Sequence, residues 1–125
     1  MEILDKIKFD NNGLVPAVMQ DYENGDVLMV AYMNRTALET TLETGKAHFW
    51  SRSRRKFWMK GETSGHTQEI KELFIDCDGD CLLFKVRQNV AACHTGYRTC
   101  FYRKWENSRL VETGRKVFDE KEVYK

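Results

Sequence analysis

Very little in this sequence runs to an extreme, and each shortage narrows the field. A single proline, Pro16, among 125 residues leaves no Pro-rich linker. No long hydrophobic run is present: the longest, Val27 to Met33, is far too short to cross a bilayer. The N-terminal Met-Glu-Ile-Leu-Asp-Lys puts charges where a signal peptide needs an apolar stretch, so the expected location is the cytoplasm, with no membrane partner. An excess of one charge is also lacking. Twenty Lys and Arg against nineteen Asp and Glu give a formal net charge of +1. That balance excludes the broadly basic face of a protein built to hold nucleic-acid phosphates. Any anion must be met by a local cluster. Repeats, low-complexity tracts and linker-like stretches are missing too, so one continuous domain over residues 1–125 is expected.

What is present is 42% hydrophobic and 31% charged residues, the balance of a soluble globular chain. A chain of this length can bury roughly two-thirds of its unfolded surface, enough for a core without metal. Residues Leu14 to Tyr22 and Val27 to Met33 read as two extended runs, joined at Asn24-Gly25, a strong hairpin signal. Pro16 suits an edge strand or a strand start. Asn34 reads as a helix N-cap and Gly45 as its stop, with Ala37, Leu38, Thr41 and Leu42 at helical spacing between them. Strand patterns follow at Lys46 to Ser51, Lys56 to Lys60, Thr67 to Asp78 and Cys81 to Gln88, and a last one at Thr99 to Trp105. The polar tail from Glu106 has weak periodicity and no assignment. The fold class expected is strand-rich α+β: a folded mixed or barrel-like sheet with one or two short helices.

Three stretches carry candidate chemistry. In Asp76-Cys77-Asp78-Gly79-Asp80, alternation along an extended backbone brings three carboxylates to one side and Cys77 to the other. A hard divalent cation would relieve the repulsion among them, and a solvated acidic turn is the plainer alternative. An EF-hand loop is excluded, because its sixth position would be Cys81 and its twelfth Arg87. In a reducing compartment Cys77, Cys93 and Cys100 read either as a thiolate zinc site with an open position or as small core residues. No Cys-x-x-Cys knuckle or His-Glu-x-x-His decides between these. Cys81 opens an apolar run and reads as core.

His94 follows Cys93 directly and is a candidate ligand, a general acid/base, or an ordinary hydrogen-bonded residue. His48 lies in a strand-like aromatic run and reads as structural; His66 sits in a loop and reads either way. The third stretch joins Trp50-Ser51-Arg52-Ser53-Arg54-Arg55 to Lys60-Gly61-Glu62-Thr63-Ser64-Gly65. Guanidinium groups, a lysine, hydroxyls and Gly-exposed backbone suit a small phosphate site, with Trp50, Phe57 and Trp58 as a surface for a base. A cationic hairpin with aromatic core positions fits the composition equally.

These stretches, with Gly13 to Ala17, Leu28 to Asn34, Phe49 to Arg54, Trp58 to Gly65, Ala92 to Gly96 and Cys100-Phe101, resemble the phosphoribosyl-AMP cyclohydrolases of histidine biosynthesis. The motifs stand in the family's order over most of the chain. The resemblance implies hydrolysis of the N1–C6 bond of the adenine ring in N1-(5-phosphoribosyl)-AMP, opening it to a formimino-carboxamide ribonucleotide. It implies an intertwined homodimer with Zn²⁺ and Mg²⁺. Cys77 of one subunit and Cys93 with Cys100 of the other would bind zinc, and Asp76, Asp78 and Asp80 magnesium. Zinc would activate water for attack on the electrophilic ring carbon. His94 is the expected acid/base catalyst. Arg52, Arg54 and Lys60 would meet the two phosphate groups, with Ser64 and Gly65 as further donors.

Two departures stand out. Cys81 replaces an Ala common in relatives, and His66 matches the family loop only partly, so neither receives a role. The fused pyrophosphohydrolase domain of many relatives is not seen, and a single catalytic step is expected. The competing reading is a zinc-stabilised binding module for RNA or protein, without turnover. A zinc deaminase would need His-x-Glu and Pro-Cys-x-x-Cys elements, which the chain lacks.

Overall fold

The computed structural model describes residues 1–123. Its first helix, α1 (Glu2–Lys6), is a single short turn, followed by the hairpin β1 (Val15–Asp21) and β2 (Val27–Met33). The connecting turn is closed by its own side chains. Asn24 Oδ1 accepts the Asp26 N–H at 2.9 Å, and Gly25 takes the left-handed φ of 81° that the turn requires. Helix α2 (Arg35–Thr44) runs between the residues expected to delimit it. The Asn34 side chain accepts the Ala37 N–H at 2.8 Å, and Gly45, at φ 74°, donates its N–H to the Thr41 carbonyl at 2.9 Å. Thr41 is fully buried, and its Oγ1 accepts the His48 N–H at 2.9 Å, which fastens the helix to the next strand.

That strand, β3 (His48–Ser51), pairs with β4 (Lys56–Met59) as a separate two-stranded ribbon. Strands β5 (Gln68–Ile75) and β6 (Leu82–Gln88) join the first hairpin in a four-stranded sheet of order β2-β1-β6-β5. β1 and β6 run parallel while the outer pairings are antiparallel, so the sheet is mixed; it stays open, not closed into a barrel. Pro16 lies in an interior strand, but pairing with β6 begins at Ala17↔Leu82, so its missing N–H falls outside that ladder.

Strict alternation builds the core. Val15, Ala17 and Met19 of β1 and Leu82, Phe84 and Val86 of β6 are buried on one face, where Ala37, Leu38 and Phe49 meet them. Each large side chain buried there contributes roughly 1.5–3 kcal/mol from removal of apolar surface. Among the described residues, no helix is long and apolar enough to cross a membrane.

The irregular parts differ from the sequence expectation. The strand expected over Thr67 to Asp78 ends at Ile75, because Asp76 to Asp80 form a turn. The strand expected over Thr99 to Trp105 is confined to β7 (Arg103–Glu106), paired with β8 (Arg109–Glu112) in the stretch left unassigned. Thr99 and Cys100 instead bond across to β2: Thr99 Oγ1 donates to the Val27 carbonyl at 2.7 Å, and the Cys100 N–H to that of Leu28 at 2.7 Å. Helix α3 (Glu120–Val123) closes the described chain.

Candidate active site

The β3–β4 ribbon, the loop after β4 and the irregular segment between β6 and β7 enclose a cleft of about 1040 Å³. Arg52, Arg54, Lys60, Ser64, His94 and Cys100 all line it, although they come from three separate stretches of chain. Trp50 and Trp58 line it too, whereas Phe57 lies outside and stacks on His48 at 5.4 Å between ring centroids. The Arg52 guanidinium lies 3.9 Å over the Tyr32 ring, a cation–π contact that restricts an otherwise exposed side chain. Gly65 does not line the cleft; its N–H donates to the Gly61 carbonyl at 2.7 Å and so shapes the loop from within. Gly61 has no substitute there, since a Cβ would stand 2.5 Å from the His66 carbonyl carbon.

Lys60 reaches the cleft from a largely buried position. It is only 8% exposed, and its Nζ donates to the Ala92 carbonyl at 2.6 Å. Burial pulls its ammonium below the ordinary lysine range, while Cys100 and Cys93 nearby hold it up. Loss of solvent around the Cys100 thiol, with Cys93 beside it, pushes that thiol up to about 12, against the opposing charge of Lys60. Two thiols crowded together resist joint ionisation unless a cation joins them, and soft sulfur suits zinc. The Cys93 Sγ also lies 2.9 Å from Thr95 Oγ1.

Cys77 is exposed in the turn after β5 and forms no metal-sized cluster with Cys93 and Cys100 within one chain, among the described residues. Cys81 is half-buried, and burial followed by the neighbouring aspartates raises its thiol.

The aspartates do converge, by a turn in place of strand alternation. Ligand oxygens of Asp76, Asp78 and Asp80 lie within 4.8 Å of one another. Asp76 Oδ1 accepts the N–H groups of Asp80 at 2.9 Å and Cys81 at 3.2 Å, which folds the acidic stretch back on itself. Gly79, at φ 78°, sits against α1: a Cβ there would meet the Lys6 carbonyl oxygen at 2.5 Å. Hydrogen bonds with Asp76 and then Asp78 push Asp80 up to about 6, the mark of carboxylates crowded together. Three exposed hard-oxygen donors suit magnesium.

His66 carries no role on sequence grounds. It is buried, with its ring edge-on to Phe118 at 4.7 Å and its Nδ1 lacking a hydrogen-bond partner. Burial, then the nearby Lys60, lowers its pKa, so it is held neutral behind the cleft. No local sequence signal marks this, because Phe118 arrives from the far end of the chain.

A concave cleft with aromatic walls and a few converging polar groups is the expected form of a small-molecule site. Comparison with known proteins makes this particular. The phosphoribosyl-AMP cyclohydrolase family model matches residues 29–102, well over half of the chain. The phosphoribosyl-AMP cyclohydrolase of Methanococcoides burtonii is 58% identical over 121 residues, covering 97% of this chain and 98% of that one. That of Pelobacter propionicus is 60% identical over 114 residues, 90% and 91% of the two chains. The histidine biosynthesis bifunctional protein HisIE of Thermoanaerobacter pseudethanolicus is 57% identical over 122 residues, 98% of this chain but 56% of its own length. The chain belongs to the phosphoribosyl-AMP cyclohydrolase family.

Proposed function

We propose that this chain hydrolyses the N1–C6 bond of the adenine ring of N1-(5-phosphoribosyl)-AMP, opening the ring in the course of histidine biosynthesis in the cytoplasm. The observation that carries the reading is the cleft itself: cationic, aromatic and thiol groups from three stretches line one cavity in a member of this family. Trp50 and Trp58 offer flat faces for the purine. Arg52 and Arg54 offer forked donors for the phosphates, and the Ser64 hydroxyl is a further donor. The buried Lys60 braces the Ala92 carbonyl, next to Cys93 and His94.

Cys93 and Cys100 would hold zinc, with Cys77 supplied by the partner of a homodimer; the separation of Cys77 from the other two within one chain supports that arrangement. Asp76, Asp78 and Asp80 would hold magnesium. Bound zinc would supply the Lewis acidity that makes water a nucleophile near neutral pH. His94, in the lining of the same cleft, takes the proton released from the water and returns it to the departing N1.

Ultraviolet turnover of N1-(5-phosphoribosyl)-AMP, before and after chelation and with Zn²⁺ and Mg²⁺ returned separately, tests the reading. Ring opening that chelation abolishes and the metals restore is the expected result. Folded, metal-loaded protein that leaves the substrate intact would overturn it.

A further inference from the structure

The chain leaves β6 through a residue poorly suited to its conformation. Val90 has φ 61°, in the left-handed region where a β-branched side chain is an outlier. The turn it makes redirects the chain from the sheet toward Ala92, Cys93 and His94. Such a conformation persists only when its surroundings over-determine it. Here the surroundings are two side chains: Gln88, whose Nε2 donates to the Asn89 and Ala91 carbonyls at 3.1 Å each, and Arg98. The Arg98 Nη1 donates to the Gln88 carbonyl at 3.0 Å and to the Val90 carbonyl at 2.9 Å. Its Nη2 donates to Asp21 Oδ2 at 2.8 Å, and Asp21, at the end of β1, is only 2% exposed. The Arg98 backbone carbonyl accepts the Ala92 N–H at 2.9 Å, and the next bond inward joins the Cys93 N–H to Tyr97. One residue thus closes the loop from both its backbone and its side chain and pins it to the central sheet.

We propose that Arg98 is the positioning residue for Cys93 and His94, holding the left-handed Val90 turn closed against Asp21. Lysine cannot replace it, because one ammonium cannot span two carbonyls and a carboxylate in fixed directions as a guanidinium does. Glycine at position 90, by contrast, adopts the same φ without strain, so it reduces the dependence on the clamp. The inference rests on the zinc and His94 assignments above, and its test separates the two.

The experiment compares wild type, Arg98→Lys, Arg98→Met and the double variant Arg98→Met with Val90→Gly, all as full-length chains. Expected for Arg98→Met is a fall in kcat of about tenfold or more at nearly unchanged KM, with zinc lost to a chelator about tenfold faster. Arg98→Lys should fall between that variant and wild type. Val90→Gly should recover several-fold of the kcat lost in Arg98→Met. Amide hydrogen exchange on metal-free protein supplies a readout that does not depend on turnover. Protection at Ala92 and Cys93 should drop in Arg98→Met while the β1 and β6 amides keep theirs. Folded Arg98→Met with wild-type kcat and zinc retention, a loss confined to KM, or a double variant with no recovery would each overturn the proposal. Should Arg98→Met fail to fold, Arg98→Lys with wild-type kcat and Ala92 protection would overturn it equally. If wild type itself lacks turnover, the functional reading fails, and exchange with chelator kinetics still judges the clamp.

Discussion

Lys60 Nζ and the Ala92 carbonyl meet at 2.6 Å, a bond that joins the loop after β4 to the residue before Cys93. Both partners are buried; burial lowers the Lys60 pKa, and Cys100 and Cys93 beside it oppose that shift. Lys60→Met therefore removes a brace and a neighbouring charge together. Expected is a loss of kcat of at least about tenfold and weaker zinc retention, read by turnover and by metal content after dialysis.

Arg52 meets solvent and is oriented by the Tyr32 ring. Arg52→Ala should act on substrate binding and leave chemistry alone. KM should rise by about tenfold, with kcat within about twofold. Tyr32→Leu should reproduce part of the KM effect, and steady-state kinetics on both variants checks the pair.

Gly79 stands where the acidic turn touches α1. Gly79→Ala combines an unfavourable φ with a clash against backbone, and should cost at least about 2 kcal/mol. Because the turn carries Asp76, Asp78 and Asp80, the proposed magnesium site predicts thermal stabilisation of wild type by added Mg²⁺ that shrinks in the same variant. Calorimetry with and without the ion measures both quantities.

Asp21 gives a pH prediction. Burial alone would raise its carboxyl, but the Arg98 guanidinium and the Glu23 and Asn24 N–H groups hold it below the ordinary range. A depressed folded pKa means that the stabilisation is fully present above the unfolded value of about 3.9 and is lost as pH falls through the folded one. Asp21→Asn should cost about 1–3 kcal/mol at pH 6. The gap from wild type should narrow below pH 4, as followed by denaturant melts across that range.

Local elements are legible wherever a short-range rule acts alone. Asn34 and Gly45 delimit α2 because a cap and a left-handed stop need only near neighbours. Asn24-Gly25 marks its hairpin for the same reason. The alternation of β1 and β6 is readable as strand, but their parallel pairing is not, since nothing near Ala17 names Leu82 as its partner. The acidic cluster is visible as composition, yet its geometry depends on a turn locked against Lys6. Resemblance to a family supplied the cleft residues as a set. Even so, the bond from Lys60 to Ala92 and the packing of His66 against Phe118 are not legible, because both are tertiary contacts between distant stretches. Arg98 carries no motif that distinguishes it from the other cations around it.

The parallel contact of β1 with β6 also sets the order in which the chain can assemble. Ala17 has no sheet partner on that side until Leu82 has been synthesised, and the whole β3–β4 ribbon lies in the loop between them. A nascent chain shorter than about the end of β6 can make its first hairpin and α2 but not its central ladder. Such long-range closure is slow compared with helix or hairpin formation. The cleft, whose walls come from both sides of that pairing, is completed only after release of its last wall, the segment beyond Gln88.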